Sequence, residues 1–288
     1  PIRAREVHRL GDLAAAVVGP PRRQRLYSAA SMACRGIIWT CLAALAAVAG
    51  RAEPPAPAAP PRRPLPIDTA IDRGLPLPPG RTHYRGREIA QTMHFAGADW
   101  LVRESRNREE DCRMLLEALA IEPGQTVCDM GCGNGFYTLE LARRVGPEGR
   151  VYAVDIQPEM LRMLAERAAA EGLENVRPVL GTPIDPRLPR AAVDLVLCVD
   201  VYHEFSHPEE MLGRIRASLG PGGRLVLAEF RAEDPAVPIK PLHKMTKGQI
   251  RAELEPAGFA VDRQFDRLPW QHLLFFRAAA PGHPPRAP

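Results

Sequence analysis

The sequence predicts a doubly wound α/β domain, a mostly parallel sheet with helices on both faces, and three observations carry that prediction. From about residue 84 onward, short apolar segments alternate with amphipathic ones. A glycine-rich turn, Gly131-Cys132-Gly133-Asn134-Gly135, joins the first apolar segment to an amphipathic one. The second apolar segment closes on an acidic residue, Asp155, twenty residues past Gly135. Near-continuous apolar strands separated by amphipathic helices indicate a parallel sheet buried on both faces.

Taken in order, residues 84–119 are expected to form two helices. The second carries Glu104/Arg108 and Arg106/Glu110 at i,i+4, the pattern of a solvated helical face. Thr126–Met130 is the first strand, and the glycine turn leads into a helix over Phe136–Val145. Arg150–Ile156 is the second strand. The helix after it has Pro158 in its first turn, buries Met160, Leu161 and Leu164, and stops near Gly172. Val176–Leu180 and Val193–Val199 are the third and fourth strands. Ser206-His207-Pro208-Glu209 has the form of a capping box for a helix whose Met211, Leu212 and Ile215 face inward. Arg224–Phe230 is the fifth strand, and Thr246 caps a further helix. Strands near 259–265 and 271–277 follow each other without a helix, so one of them runs antiparallel.

Hydrophobic and charged contents of 45% and 25% are ordinary for a globular protein. The prolines are not evenly spread: seven of the 31 fall in 54–66 and four in 281–288. Such stretches favour extended conformations, so residues 54–83 form a linker, 84–280 the domain and 281–288 a frayed tail. The net charge of +4 resides in residues 1–51, where eight arginines against Glu6 and Asp12 give +6, leaving −2 for the rest. The body therefore has no basic surface that calls for nucleic acid.

Residues 1–53 read as a leader. Within 32–49, Met32-Ala33-Cys34-Arg35 precedes an apolar run, Ile37 to Ala49, that ends in Ala47-Val48-Ala49. A basic start, a run too short to span a bilayer and a small-x-small end describe a secretory signal peptide. If it functions, the protein is exported or anchored, with membrane contact through the leader alone; if not, the protein is cytoplasmic. Cys112, Cys128, Cys132 and Cys198 make neither zinc-ribbon nor disulfide spacing and act as small hydrophobes.

A strand–glycine turn–helix unit is what a nucleotide site needs. Glycine lets backbone approach ligand, and the helix start offers N–H groups. The spacing Gly131-x-Gly133-x-Gly135 differs from the Gly-x-Gly-x-x-Gly of a dinucleotide fold, which would place glycine where Phe136 stands. Asp155 at the end of the second strand can accept both hydroxyls of a ribose.

These residues resemble the class I S-adenosylmethionine-dependent methyltransferase family. Asp129-x-Gly131-x-Gly133-x-Gly135 is similar to its first motif, and Val154-Asp155-Ile156 to its ribose-binding acidic motif. Leu219-Gly220-Pro221-Gly222-Gly223 is similar to the turn before its fifth strand. The resemblance covers roughly residues 84–277 and is nearest to the quinone and small-molecule methyltransferases. It implies a Rossmann-like sheet of seven strands in the order 3-2-1-4-5-7-6, the seventh antiparallel, and S-adenosylmethionine as cofactor. It also implies that Asp129 and the Gly131–Gly135 turn, Cys132 included, hold the methionine part, with Asp155 and Ile156 at the ribose. Where members often carry an aspartate for the adenine amino group, this chain has Gly181-Thr182, with Asp185 three residues on. Thr182 and Asp185 are the candidates there.

His203-Glu204-Phe205-Ser206-His207 matches H-E-x-x-H, which would make a zinc hydrolase of the chain. That motif works on a helix, whereas this one follows a buried strand and runs into Pro208, so no metal is expected. The same segment lies at the carboxyl end of the fourth strand, where doubly wound folds bind ligands. Asp200, Tyr202, His203 and Glu204 are therefore expected to rim the site, Asp200 with the cofactor. Glu229 and His243-Lys244-Met245 are within possible reach, although a solvated loop accounts for the latter three. Trp100, Arg103 and Arg106 suit either a lid or an ordinary amphipathic helix. Methyl transfer is an in-line displacement, and a hydroxyl or thiol acceptor needs a base, for which His203 is the first candidate. An Asn/Asp-Pro-Pro-aromatic motif for base-amino methylation is missing at Asp200-Val201-Tyr202-His203, which sets that substrate class aside. The resemblance to small-molecule methyltransferases implies a small-molecule acceptor. Two other readings are a cofactor-binding protein without catalysis and, behind it, a zinc hydrolase using His203-Glu204-x-x-His207.

Overall fold

Val193, Leu195, Val196, Leu197 and Cys198 point alternately to opposite faces of a strand, and all five are fully buried. That can hold only if both faces of the sheet are covered. In a computed structural model, which describes residues 62–69 and 77–279, they are. The central strands are β3 (Thr126–Met130), β4 (Arg150–Asp155), β5 (Val176–Leu180), β6 (Val193–Val199) and β7 (Leu219–Arg231), closed by β9 (Phe259–Phe265) and β10 (Gln271–Ala278). Their order, β5-β4-β3-β6-β7-β10-β9, is the expected 3-2-1-4-5-7-6. β10 runs antiparallel to both neighbours and the first five strands are parallel.

On one face lie α2 (Cys112–Ala118), α3 (Phe136–Val145) and α4 (Pro158–Ala170), burying Leu115, Leu141 and Leu164. On the other lie α5 (Pro208–Ser218) and α6 (Lys247–Leu254), burying Met211, Leu212, Ile215 and Ile250. Thr246 caps α6 as expected, its side chain accepting from Gln249 N. All four described cysteines are free and buried.

Several expectations need correction. Residues 84–119 are not two helices. They form a hairpin of β1 (His83–Tyr84) and β2 (Arg87–Glu88), a 3-10 segment Phe95–Val102, and then α1 (Arg106–Glu110) before α2. Arg85 and Gly86 both have positive φ, so the hairpin turns through a mirror-image turn without the usual Asn-Gly signal. Asp111, at φ +47, breaks α1 from α2 and caps the latter through Met114 N. Ser206 does not cap α5: His207 is the N-cap residue, and Ser206 Oγ bonds the His207 ring instead. β7 begins at Leu219, five residues early, and a short β8 (Lys244–Met245) adds to it in parallel.

The proline-rich stretch is only partly a linker. Leu65 and Ile67 pack on the core, Asp68 N donates to Pro178 O and Asp68 O accepts from Leu180 N, extending the sheet beyond β5. The leader 1–53, its segment 32–49 and the tail 281–288 lie outside the described residues. No helix among the described residues is long and apolar enough to cross a membrane.

Gly135, at φ +88, starts α3, and a Cβ there would stand 2.1 Å from Leu164 Cδ1 on α4. Gly135→Ala should therefore lower stability by about 2–4 kcal/mol, strain and overpacking together. Urea unfolding measures this, and a loss below about 0.5 kcal/mol would mean that α3 and α4 do not meet there.

Candidate functional site

The carboxyl ends of β3, β4, β6 and β7 open into one cavity of about 710 Å³. Its floor is the glycine turn. Gly131 and Gly133 have φ of +67° and +53°, and a Cβ on either would come within 2.6 Å of Val201 or 2.5 Å of Leu101. The turn's amides are spoken for: Gly131 and Cys132 donate to Val154 O, Gly133 to Asp155 Oδ2 and Gly135 to Cys132 O. These four are thus not free donors for a phosphate; the glycines provide close approach instead. Gly135 and Cys132 do not line the main cavity, and their place is packing beneath it.

Asp155 ends β4 on the cavity wall, its Oδ1 accepting from Gln157 N. Burial raises its pKa, against the backbone bonds that favour the carboxylate. Ile156, Thr182 and Pro183 continue this wall. Asp185 does not: it bonds Thr182 and Arg187 N and leans toward Arg214, away from the cavity. Asp129 lies under the turn, accepting from the Thr138 hydroxyl at 2.6 Å, and burial lifts its carboxyl to about 6.

The N-terminal segment closes the opposite side. Gln157 ties it down, its side chain accepting from Phe95 N and donating to Met93 O. Trp100 and Arg103 line the cavity, with the Arg103 guanidinium 3.8 Å over the indole. Arg106 and Glu110, expected on a solvated face, are 5% and 1% exposed and form a buried ion pair at 2.9 Å. Glu110 also meets Arg103 at 2.6 Å, and Arg106 donates to Leu101 O. Across from them Asp200, at φ +54, receives Gln271 Nε2 on Oδ2, while its buried Oδ1 has no partner. Burial, with Glu110 and Glu229 nearby, holds this carboxyl well above its usual range.

The far end carries the polar residues of the loop after β6. His203 Nδ1 lies 2.6 Å from the fully buried Glu229, and its Nε2 lies 3.0 Å from His243 Nδ1. Glu204 Oε1 stands 3.9 Å from each of those two nitrogens, and burial raises its carboxyl to about 7. His243, placed by sequence in a solvated loop, thus belongs to the cavity, while Lys244 turns to the Asp234 and Val237 carbonyls. Tyr202 leaves the candidate set: it is fully buried and its hydroxyl donates to Glu253, which also holds Arg87. Arg87 in turn donates to His203 O, so the hairpin fixes the loop that presents His203. His207 bonds Pro78 O and Ser206, apart from His203, so H-E-x-x-H does not assemble.

Residues 121–261 match a family described as a methyltransferase domain. Nocamycin O-methyltransferase of Saccharothrix syringae is 36% identical over 115 residues, 40% of this chain and 41% of that protein. The ubiquinone/menaquinone biosynthesis C-methyltransferase of Hydrogenovibrio crunogenus is 33% identical over 119 residues, 41% and 47% of the two chains. Among solved structures, a SAM-dependent methyltransferase from Aquifex aeolicus has a TM-score of 0.62 at 26% identity, covering 65% of this chain and all of that one. The chain belongs to the class I S-adenosylmethionine-dependent methyltransferase family. Its cofactor is S-adenosylmethionine, and it spans less than half the length of the two curated relatives.

Around this cavity, the sequence pattern did not reveal the inward turn of Arg106 and Glu110. Their i,i+4 spacing is the same whether the pair faces solvent or a cavity. Glu110→Ala leaves Arg106 buried without its carboxylate, and stability should fall by about 3–5 kcal/mol. Chemical unfolding checks this; a loss under about 1 kcal/mol, the worth of an exposed pair, would mean that the pair is solvated.

Proposed function

We propose that this methyltransferase moves the methyl group of S-adenosylmethionine to a small-molecule acceptor held at the His203 end of the cavity, by in-line displacement. The single observation behind this reading is the shape of the cavity: one continuous space from Asp155 past Gly131 and Asp200 to His203. Its 710 Å³ falls in the upper part of the range of about 300–1,000 Å³ typical of small-molecule sites.

The residues fit the cofactor. Asp155 would take the ribose hydroxyls, with Ile156, Thr182 and Pro183 along the adenine. Gly131 and Gly133 admit the chain linking ribose to methionine, since their missing Cβ atoms leave that floor low. The partnerless Asp200 Oδ1 would receive the methionine ammonium, and Arg106, which lines the same cavity, would meet the carboxylate. Bound there, S-adenosylmethionine supplies a methyl group already activated on a sulfonium sulfur.

The protein's part is alignment and exclusion of water, which can be worth roughly 7–11 kcal/mol of the barrier. Met93, Phe205, Met211, Phe230 and Ile239 add apolar lining to the cavity that holds the polar His203, Glu204 and His243. For a hydroxyl or thiol acceptor, His203 Nε2 would take the proton in exchange for its contact with His243 Nδ1, with Glu229 holding the other ring nitrogen. The two curated relatives, named for nocamycin and for ubiquinone/menaquinone biosynthesis, support a small organic acceptor.

Calorimetric titration of the full chain with S-adenosylhomocysteine should give saturable one-to-one binding. Asp155→Ala should weaken it by about 1.5–3 kcal/mol, the worth of hydrogen bonds to a charged group. Absence of binding would overturn the proposal, and an unchanged affinity in the variant would misplace the ribose. Methyl-labelled S-adenosylmethionine, offered with phenol and quinol acceptors, should pass its label to an organic product.

A further inference from the structure

We propose that His203, Glu204 and His243 form a site for one zinc-class divalent cation, with its open coordination position facing the acceptor end of the cavity. The site needs only these residues. Its place opposite the methyl donor rests on the function proposed above.

The three candidate ligand atoms, His203 Nε2, His243 Nδ1 and Glu204 Oε1, all lie within 4.8 Å of one another. They stand 3.0, 3.9 and 3.9 Å apart. Tetrahedral ligands at zinc bond lengths of about 2.0–2.2 Å lie roughly 3.3–3.6 Å apart, a span that these separations bracket. Two imidazoles and one carboxylate are a ligand set of catalytic rather than structural metal sites, because they leave a position open.

The surroundings agree. A ligating histidine nearly always donates its second ring N–H to a carboxylate or carbonyl, which points the other nitrogen's lone pair at the metal. Glu229 Oε2, 2.6 Å from His203 Nδ1 and fully buried, has that position. Glu229 is held in turn by the Tyr202 amide, which donates to its other oxygen at 3.0 Å. Without a cation the two imidazoles share one hydrogen bond, and Glu204 keeps only a 3.3 Å contact from Met93 N. The triad is not the H-E-x-x-H of the sequence: His207 is elsewhere, and its role falls to His243, forty residues on.

With the ion bound, Nε2 no longer accepts a proton. A hydroxyl or thiol coordinated at the open position loses its proton to solvent. Its oxygen or sulfur then forms the new bond to the methyl carbon as the carbon–sulfonium bond breaks, and S-adenosylhomocysteine leaves as a neutral thioether.

The test strips the full chain with a chelator, reloads it with cobalt(II) or zinc(II) and measures retained metal after desalting. The expected result is one equivalent per chain, with the intense visible absorption of four-coordinate cobalt(II). His243→Asn and Glu204→Gln, both partly accessible positions, should lose that equivalent and that spectrum while keeping the parent's circular dichroism. Glu229→Gln should weaken retention about 10–100-fold. Retention of the metal by both ligand variants would place it elsewhere and overturn the proposal. So would a parent that binds S-adenosylhomocysteine but no metal. Metal retention lost in the ligand variants, in a parent that fails to bind S-adenosylhomocysteine, would uphold this site and remove the methyltransferase function instead.

Discussion

Helices cover both faces of β3 to β7, so ligands can reach this sheet only at the ends of its strands. Parallel strands end together, and one rim therefore collects Met130, Asp155, Asp200 and Phe230 from four separate stretches of chain. The Gly131–Gly135 turn follows from the same constraint. The chain must leave β3, clear Val201 and Leu101, and start α3 against Leu164, and only residues without Cβ atoms pass at those distances. Four of the turn's five amides, those of Gly131, Cys132, Gly133 and Gly135, bond to Val154, Asp155 or Cys132, so the chain's own hydrogen bonds hold its shape.

Around that rim the structure buries more charge than a core needs. Arg106 with Glu110, Glu229 with His203, and Arg87 with Glu253 are each shielded from water. Pairs of this kind add little net stability, because desolvation offsets their attraction, but losing one partner is costly. Their effect is positional. Arg87 and Glu253 fix the loop at His203, Glu229 orients its ring, and Glu110 keeps Arg106 on the cavity wall opposite Asp200. The residues that close the cavity, Gln91 to Arg106, are tied to the donor side through Gln157 and through Asn134, whose side-chain amide donates to Ala98 O.

The parallel sheet and the glycine turn were legible in the sequence because they follow from local pattern, and the strand order was what the family resemblance implied. Apolar runs such as Val193–Val199 have one stable use, and a strand–glycine–helix unit with Asp155 in register leaves few alternatives. The N-terminal segment was misread for the same reason: Arg85-Gly86 and Asp111 break helical pattern through backbone angles that composition does not announce. Which way a side chain faces was a matter for the tertiary structure. Tyr202 and His203 are neighbours, yet one turns to Glu253 and the other to the cavity. Arg106 and Glu110 have the spacing of a surface pair and are buried, and Asp185 lies near the predicted adenine end but bonds its own loop. His243 meets His203 across forty residues because β7 returns to the rim and β8 docks there, a long-range pairing that no window of sequence contains.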